Sequence, residues 1–311
     1  MSNIRFLRPS PSPTEAIESL RTVRDLIRHA VSRMQASGIS LGHGTDDLFD
    51  EAAWLVLWSL HLPLERLEPF LDARLTPTER QAAIDLIERR CTERLPSAYL
   101  TGEAWLRGTR FLSDPRALVP RSPIAELLDG DALLPWLPDP EAVLSVLDLC
   151  TGGASLAVLA AQAYPQAQVI GSDLSPDALA LAADNIALHH LADRVHLRQG
   201  SLWAPLKGER FDLIVCNPPY VNSASMAALP PEYRHEPQSA LAGGSDGMDL
   251  IRTILQGAGE HLTDAGVMVL EVGHEVVHFE AAFPRLEGIW LPVATGDDQL
   301  VLLDRTALSR L

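Results

Sequence analysis

The chain has 311 residues, is 47% hydrophobic, and sets 41 acidic against 25 basic side chains, a formal net charge of −16. That length and apolar content suffice for two domains with cores of their own, while the acidic balance argues against a protein that grips nucleic acid over a broad basic face. No apolar run approaches the ~20 residues that span a bilayer, the start lacks a signal-peptide stretch, and Cys91, Cys150 and Cys216 read as buried hydrophobes of a reducing compartment; the expectation is a cytoplasmic protein with no membrane and no direct nucleic-acid partner.

Residues 1–14, with Pro9, Pro11 and Pro13, read as a flexible arm. Ile17, Leu20, Val23, Ile27, Val31 and Met34 then recur at helical spacing and predict one helix. Thr45-Asp46-Asp47 can cap a second helix that holds Trp54, Leu55, Leu57 and Trp58 and stops at Pro63. Thr76-Pro77-Thr78-Glu79 is a capping box with proline at the first helical position, opening a third helix that ends before Pro96. Residues 15–98 thus form a helical domain.

Between 99 and 120 the pattern changes to Tyr99-Leu100, Trp105-Leu106 and Arg110-Phe111-Leu112 separated by Gly102 and Gly108, a β-hairpin linker. A second domain, 121–311, starts with a short helix over 124–134 and the breakers Pro135, Pro138 and Pro140. Strands are predicted at 143–149, 167–171, 194–197, 211–216, 266–272, 288–291 and 299–303. Helices are predicted at 155–164, 175–191, 248–262 and 275–283. Alternating units of this kind imply an α/β fold, a parallel sheet with helices on both faces.

Chemistry concentrates at three strand ends. The first strand runs into Asp148-Leu149-Cys150-Thr151-Gly152-Gly153-Ala154, small residues that let a backbone approach a ligand beside a helix N-terminus. Neither Gly-x-Gly-x-x-Gly nor Gly-Lys-Ser/Thr is present, which disfavours a nicotinamide enzyme and a phosphate-cleaving loop; a plain tight turn is the other reading. The second strand ends at Asp173, 21 residues after Gly152, where such folds hold ribose hydroxyls; a charge at a helix start is the alternative. The strand at 211–216 runs into Asn217-Pro218-Pro219-Tyr220. Two prolines stiffen that loop and leave carbonyls exposed, Asn217 adds an amide and Tyr220 a flat ring, so the site suits a planar group bearing NH₂.

With these motifs in this order the sequence resembles the S-adenosyl-L-methionine-dependent methyltransferases of the Rossmann-like class, and within them the glutamine methyltransferases that act on protein side-chain amides. Arg121-Ser122-Pro123-Ile124-Ala125-Glu126 and Arg234-His235-Glu236-Pro237 resemble the branch that modifies the third protein of the large ribosomal subunit, where the release-factor branch has Pro-Glu-Thr-Glu at the first of these places. The chain departs from the family at Gly152-Gly153-Ala154, usually Gly-Ser-Gly, and at Gly200-Ser201-Leu202-Trp203, often Ser-Asp-Leu-Phe.

The resemblance implies an S-adenosyl-L-methionine site made by Asp148, Thr151, Gly152, Gly153, Ala154, Asp173, Ser201, Leu202 and Asn217. It implies catalysis by Asn217, Pro218 and Tyr220, with the Asn217 side-chain oxygen and the Pro218 carbonyl accepting the two hydrogens of the target amide. Pro219 and Arg121, together with Arg234, His235 and Glu236 of a loop over 221–246, would shape the target pocket, and the helical domain would recognise the ribosomal protein. No metal is expected: His189-His190 read as a helix end, and Glu271 as a packing or hydrogen-bonding group. The alternatives are methylation of release factors, a nucleic-acid amino methyltransferase, and a binding module that kept the fold without the activity.

Overall fold

The computed structural model describes residues 12–294 and 296–311. It divides into two compact units, one of residues up to Thr101 together with Pro230–His235, the other of Gly102–Leu229 and Glu236–Leu311. The arm expected at 1–14 lies outside the described residues up to 11, and beyond them the chain is already helical.

In the first unit the helix expected from Ile17 to Met34 is two helices, α1 (Pro13–Ser19) and α2 (Val23–Ser37). Ser12 caps α1. Leu20 is extended, and Thr22 starts α2 through a reciprocal capping box with Asp25. The apolar spacing carries across the break, so periodicity alone does not reveal it, although the Thr22-x-x-Asp25 capping box marks the new start. Asp47 caps α3 (Leu48–Ser59), accepting from Phe49 N at 2.7 Å and Asp50 N at 3.1 Å. The capping box at Thr76 and Glu79 opens α4 (Pro77–Glu93) as expected. Leu26, Ile27 and Met34 of α2, Leu55 and Val56 of α3, and Ile84 and Ile87 of α4 form its core. Tyr99 and Leu100 are not in a hairpin: both amides donate to Pro96 O, and they lie in α5 (Ser97–Thr101).

A buried ion network runs through this core. Arg90, 1% exposed, donates to Glu51 at 2.6 Å, to Glu232 at 3.3 Å and to Ser40 O at 3.0 Å. Glu232 is fully buried and also accepts from Arg94 at 2.7 Å and Ser40 N at 2.9 Å. Charges withdrawn from water are tolerated only when paired in this way. The Pro230–His235 segment thereby belongs to the helical unit, although it follows the Asn-Pro-Pro-Tyr loop in sequence.

The second unit opens with a hairpin, β1 (Glu103–Leu106) and β2 (Thr109–Leu112), whose turn residues Arg107 and Gly108 have φ of 50° and 74°, the geometry of a type I′ turn. Next, α6 (Ile124–Leu128) stops at Asp129, before Gly130 and short of the expected 134. Then follow β3 (Ser145–Leu149), α7 (Ser155–Ala163), β4 (Gln168–Asp173), α8 (Pro176–Leu188), β5 (Val195–Gln199), β6 (Phe211–Cys216), α9 (Ser223–Ala228), α10 (Asp249–His261), β7 (Leu262–Glu271), α11 (Val276–Ala282), β8 (Ile289–Val293), β9 (Gly296–Asp304) and α12 (Arg305–Leu308). The strand order is β5-β4-β3-β6-β7-β9-β8, with β9 antiparallel to both neighbours and the other pairs parallel. This is the Rossmann-like sheet expected, plus α9 and α12, which the apolar pattern did not signal.

Strand side chains alternate between faces. Val146, Val169, Leu213, Val215 and Val267 enter one core with α7, while Leu147, Leu149, Ile214, Cys216 and Met268 enter the other with α10. Strand order reverses between β3 and β6, so their carboxyl ends border the crevice where open α/β sheets bind ligands.

Replacing Arg90 by Leu leaves the buried Glu51 and Glu232 short of a partner cation. The expected loss is about 3–5 kcal/mol, read as a fall in the urea midpoint; an unchanged midpoint would show that the network carries no stability.

Candidate active site

Register levels the three strand ends. Leu149 pairs with Ser172 of β4 and with Cys216 of β6, so the turn after β3, Asp173 and the loop after β6 leave the sheet side by side.

The turn after β3 is held from below by Asp148, which is 1% exposed. Its Oδ2 accepts from Thr151 Oγ1 at 2.5 Å and from Ala157 N at 2.9 Å. These bonds tie the two residues to each other and shape the turn. Cys150, Gly152 and Ala154 have φ of 64°, 53° and 63°. Ala154 is thus a non-glycine residue in the left-handed region, and its methyl is buried in the first core. Gly153, at ordinary φ, lies against Leu181 and Asn185, which donates to Gly153 O at 2.9 Å.

Asp173 accepts from Gly152 N at 2.9 Å through Oδ2 and from Ser175 N at 2.8 Å through Oδ1. It therefore does local work, yet each oxygen keeps a lone pair for another donor. Leu174 beside it is 69% exposed. Gly200 N donates to Asp173 O at 3.0 Å, which brings Ser201 and Leu202 to this strand end. Ser201 is exposed; Leu202 has φ of 46° and packs on the second core.

After β6, Pro218 and Pro219 are buried and Asn217 half-buried, and the Asn217 amide makes no hydrogen bond with another described residue. Tyr220 donates its hydroxyl to Glu271 Oε1 at 2.9 Å, and Ser122 Oγ donates to Glu271 Oε2. Burial raises the Glu271 carboxyl above its usual range, countered by the Ser122 and Tyr220 hydrogen bonds. A Cβ on Gly273 would stand 2.5 Å from the Tyr220 ring, one on Gly247 2.1 Å from Tyr220 O, and one on Gly243 2.7 Å from Tyr220 Cα. These three glycines let the tyrosine seat. Sequence reading missed them, because nothing local marks a glycine that serves a distant side chain.

The residues expected at a target pocket belong to both units. Arg121 forms a two-pronged ion pair with Glu236, Nη2 to Oε2 at 2.8 Å, and Glu236 also accepts from Val119 N at 3.0 Å. The Glu236 side chain is fully buried. The pair joins two loops. Arg234 and His235 are exposed and belong to the helical unit, with His235 Nε2 at 3.1 Å from Glu93 O. The sequence over 221–246 is therefore divided between the two units, 230–235 in the helical one and the rest in the other.

Two outcomes follow from the turn. Ala154→Gly trades relief of ~1–2 kcal/mol of left-handed strain against a buried methyl worth ~0.8 kcal/mol, so stability should stay within about 1 kcal/mol. Ala154→Val, β-branched at this φ, should cost at least ~2 kcal/mol. Urea unfolding of both variants checks this, and a neutral valine would refute the strain. Burial, aided by the Asp173 charge, pushes the Asp148 carboxyl from 3.8 up to about 7, against the Thr151 and Ala157 hydrogen bonds. Between about pH 4 and 7 the folded chain then holds a proton that the unfolded chain has released, so stability falls as pH rises through that window and levels off above it. Asp148→Asn removes this fall, gaining on wild type by on the order of 4 kcal/mol from pH 4 to pH 7.5. Parallel stability curves would return Asp148 to an ordinary carboxyl.

The family model described as Methyltransferase small domain matches residues 129–229. The ribosomal protein uL3 glutamine methyltransferase of Bordetella pertussis is 60% identical over 292 residues, covering 94% of this chain and 98% of that protein. That of Burkholderia pseudomallei is 54% identical over 306 residues, covering 96% and 97%, and that of Xanthomonas campestris 45% identical over 281 residues, covering 90% of each. With identity at this level running through both the helical unit and the sheet, the chain belongs to the ribosomal protein uL3 glutamine methyltransferase family.

Proposed function

We propose that the chain transfers a methyl group from S-adenosyl-L-methionine to the side-chain amide nitrogen of a glutamine in ribosomal protein uL3. The observation that carries the reading is the Asn217 amide, without a hydrogen-bond partner among the described residues, at the carboxyl end of β6 on a loop stiffened by two buried prolines. Family membership favours uL3 over release factors or a nucleic-acid base. The cytoplasm is the proposed compartment: the three cysteines are free, and among the described residues no helix is long and apolar enough to cross a membrane.

The residues present fit the cofactor. Asp173 offers spare lone pairs to hydroxyls, the exposed Leu174 an apolar face to a flat ring, and the Gly152–Ala154 turn a backbone without bulky side chains. Ser201 and Leu202 border the same strand end. When bound, S-adenosyl-L-methionine supplies an electrophilic methyl group on a positively charged sulfur.

A glutamine amide nitrogen is a weak nucleophile because its lone pair is delocalised, and no side chain removes its proton at neutral pH. The protein's contribution is therefore alignment. Asn217 Oδ1 and the Pro218 carbonyl accept the two amide hydrogens and fix the plane of the group, while Tyr220, tethered by Glu271, walls it from water. Alignment of this kind can supply several kcal/mol of the barrier reduction. The nitrogen becomes cationic on methylation, so its proton is acidic enough to pass to water when the product leaves, and a strong base is unnecessary.

Purified uL3 incubated with enzyme and methyl-labelled cofactor should take up label on a glutamine. Asn217→Ala should lower kcat by about 10²–10³-fold, the usual effect of removing one preorganised hydrogen-bonding group, with cofactor affinity changed by less than about threefold. Wild-type turnover in the variant would sink the geometry; no uptake with the wild type would sink the function.

A further inference from the structure

The chain directly after Asn217-Pro218-Pro219-Tyr220 is held by a second buried carboxylate, which the chemistry above does not use. Glu275, 1% exposed, stands just before α11. Its Oε1 accepts from Asn222 Nδ2 at 2.6 Å and from Asn222 N at 3.2 Å. Its Oε2 lies 2.6 Å from His278 Nδ1, and His274 Nε2 is 3.5 Å from Oε1. Asn222 in turn caps α9, accepting from Ser225 N at 2.9 Å, and between them Val221 is tied at both backbone atoms, its N to Leu241 O and its O to Gly243 N, each at 2.9 Å.

One short segment therefore grips the loop twice. Glu271 holds Tyr220, Glu275 holds Asn222, and Gly273, with φ of 53°, bends the chain between them under the Tyr220 ring. The run His274-Glu275-Val276-Val277-His278 has the spacing of a zinc-protease helix, which sequence reading did not remark. Here the helix begins only at Val276, the carboxylate is engaged by Asn222, and among the described residues no group of three potential ligands could hold a metal ion. The two imidazoles flank the Glu275 carboxylate.

We propose that Glu275 is a positioning residue for methyl transfer, its buried carboxylate, braced by His278, anchoring Asn222 and so holding the Asn217 and Pro218 acceptors at a fixed height above the sheet. The proposal rests on the methyl-transfer reading. It differs from a general stabilising role because the anchor touches the loop on its downstream side and none of the residues that fit the cofactor. Catalytic alignment tolerates little displacement, so loss of the anchor should appear in turnover before it appears in binding.

The test compares wild type, Glu275→Ala, Glu275→Gln and Asn222→Ala on uL3 with labelled cofactor, rates taken per mole of folded enzyme. Glu275→Ala should lower kcat by about 30-fold or more, with cofactor Kd by calorimetry and KM for uL3 each within about threefold. Glu275→Gln should restore most of the rate, since its carbonyl still accepts from Asn222 and its NH₂ can donate to His278 Nδ1. Asn222→Ala should repeat the kcat loss, and it stands in if Glu275→Ala does not fold. The proposal is overturned by wild-type kcat in the alanine variants, by a kcat loss matched by an equal loss of cofactor affinity, or by a glutamine variant no better than alanine. An inactive wild type would instead overturn the functional reading itself.

Discussion

The site depends on one row of main-chain hydrogen bonds. Because β3 pairs in parallel with both β4 and β6, and Leu149 lies opposite Ser172 on one side and Cys216 on the other, three loops leave the sheet at one level. Neighbouring strands stand ~4.8 Å apart, so the small-residue turn, Asp173 and Asn217 start within roughly 10 Å of each other. The reversal of strand order between β3 and β6 opens the crevice at that point. A register slip of one residue would turn Asp148 out of the core and Leu149 into its place, and the turn would lose its support.

Around that row the chain uses its acidity internally. Asp148, Asp173, Glu236, Glu271 and Glu275 each accept hydrogen bonds that hold a loop at the site, from Thr151 and Ala157, Gly152 and Ser175, Val119 and Arg121, Ser122 and Tyr220, and Asn222. Loop amides and hydroxyls away from helix and sheet ladders need such partners when they are buried. Four of the five residues are buried, and burial raises the carboxyls of Asp148 and Glu271 in particular. The net charge of −16 is thus only partly a matter of solubility or encounter with a basic partner. Some of it is a set of internal staples, placed where a stiff loop is required.

In the helical unit a similar economy operates with cations. Arg90 and Arg94 converge on Glu232, which reaches them from the segment that follows the Asn-Pro-Pro-Tyr loop in sequence. The residues on either side of that segment's end behave differently: His235 goes with the helices, while Glu236 is locked to Arg121 and Val119 in the sheet unit. One stretch of chain, read as a single loop from its sequence, therefore serves two structures.

Much was written in local sequence. The capping residues Asp47 and Thr76 and the proline of α4 stand at the expected helix starts, the strands of the sheet fall near their apolar runs, and Asn217-Pro218-Pro219-Tyr220 announces its chemistry because proline constraint and side-chain type are properties of the residues themselves. The break between α1 and α2 escapes the reading because apolar spacing runs on through a cap, and the turn at Tyr99 and Leu100 because a short apolar pair beside Gly102 reads equally as the start of a hairpin. What sequence could not decide was where charged and polar side chains spend their hydrogen bonds. Arg121 and Glu236 are 115 residues apart, Ser122 and Glu271 149, and Asn222 and Glu275 53. Such pairings follow from burial at a distance, which compels a polar group to take whatever partner the fold brings to it. Residue type sets what each group can bond, and tertiary structure alone decides which of them remain free for a substrate.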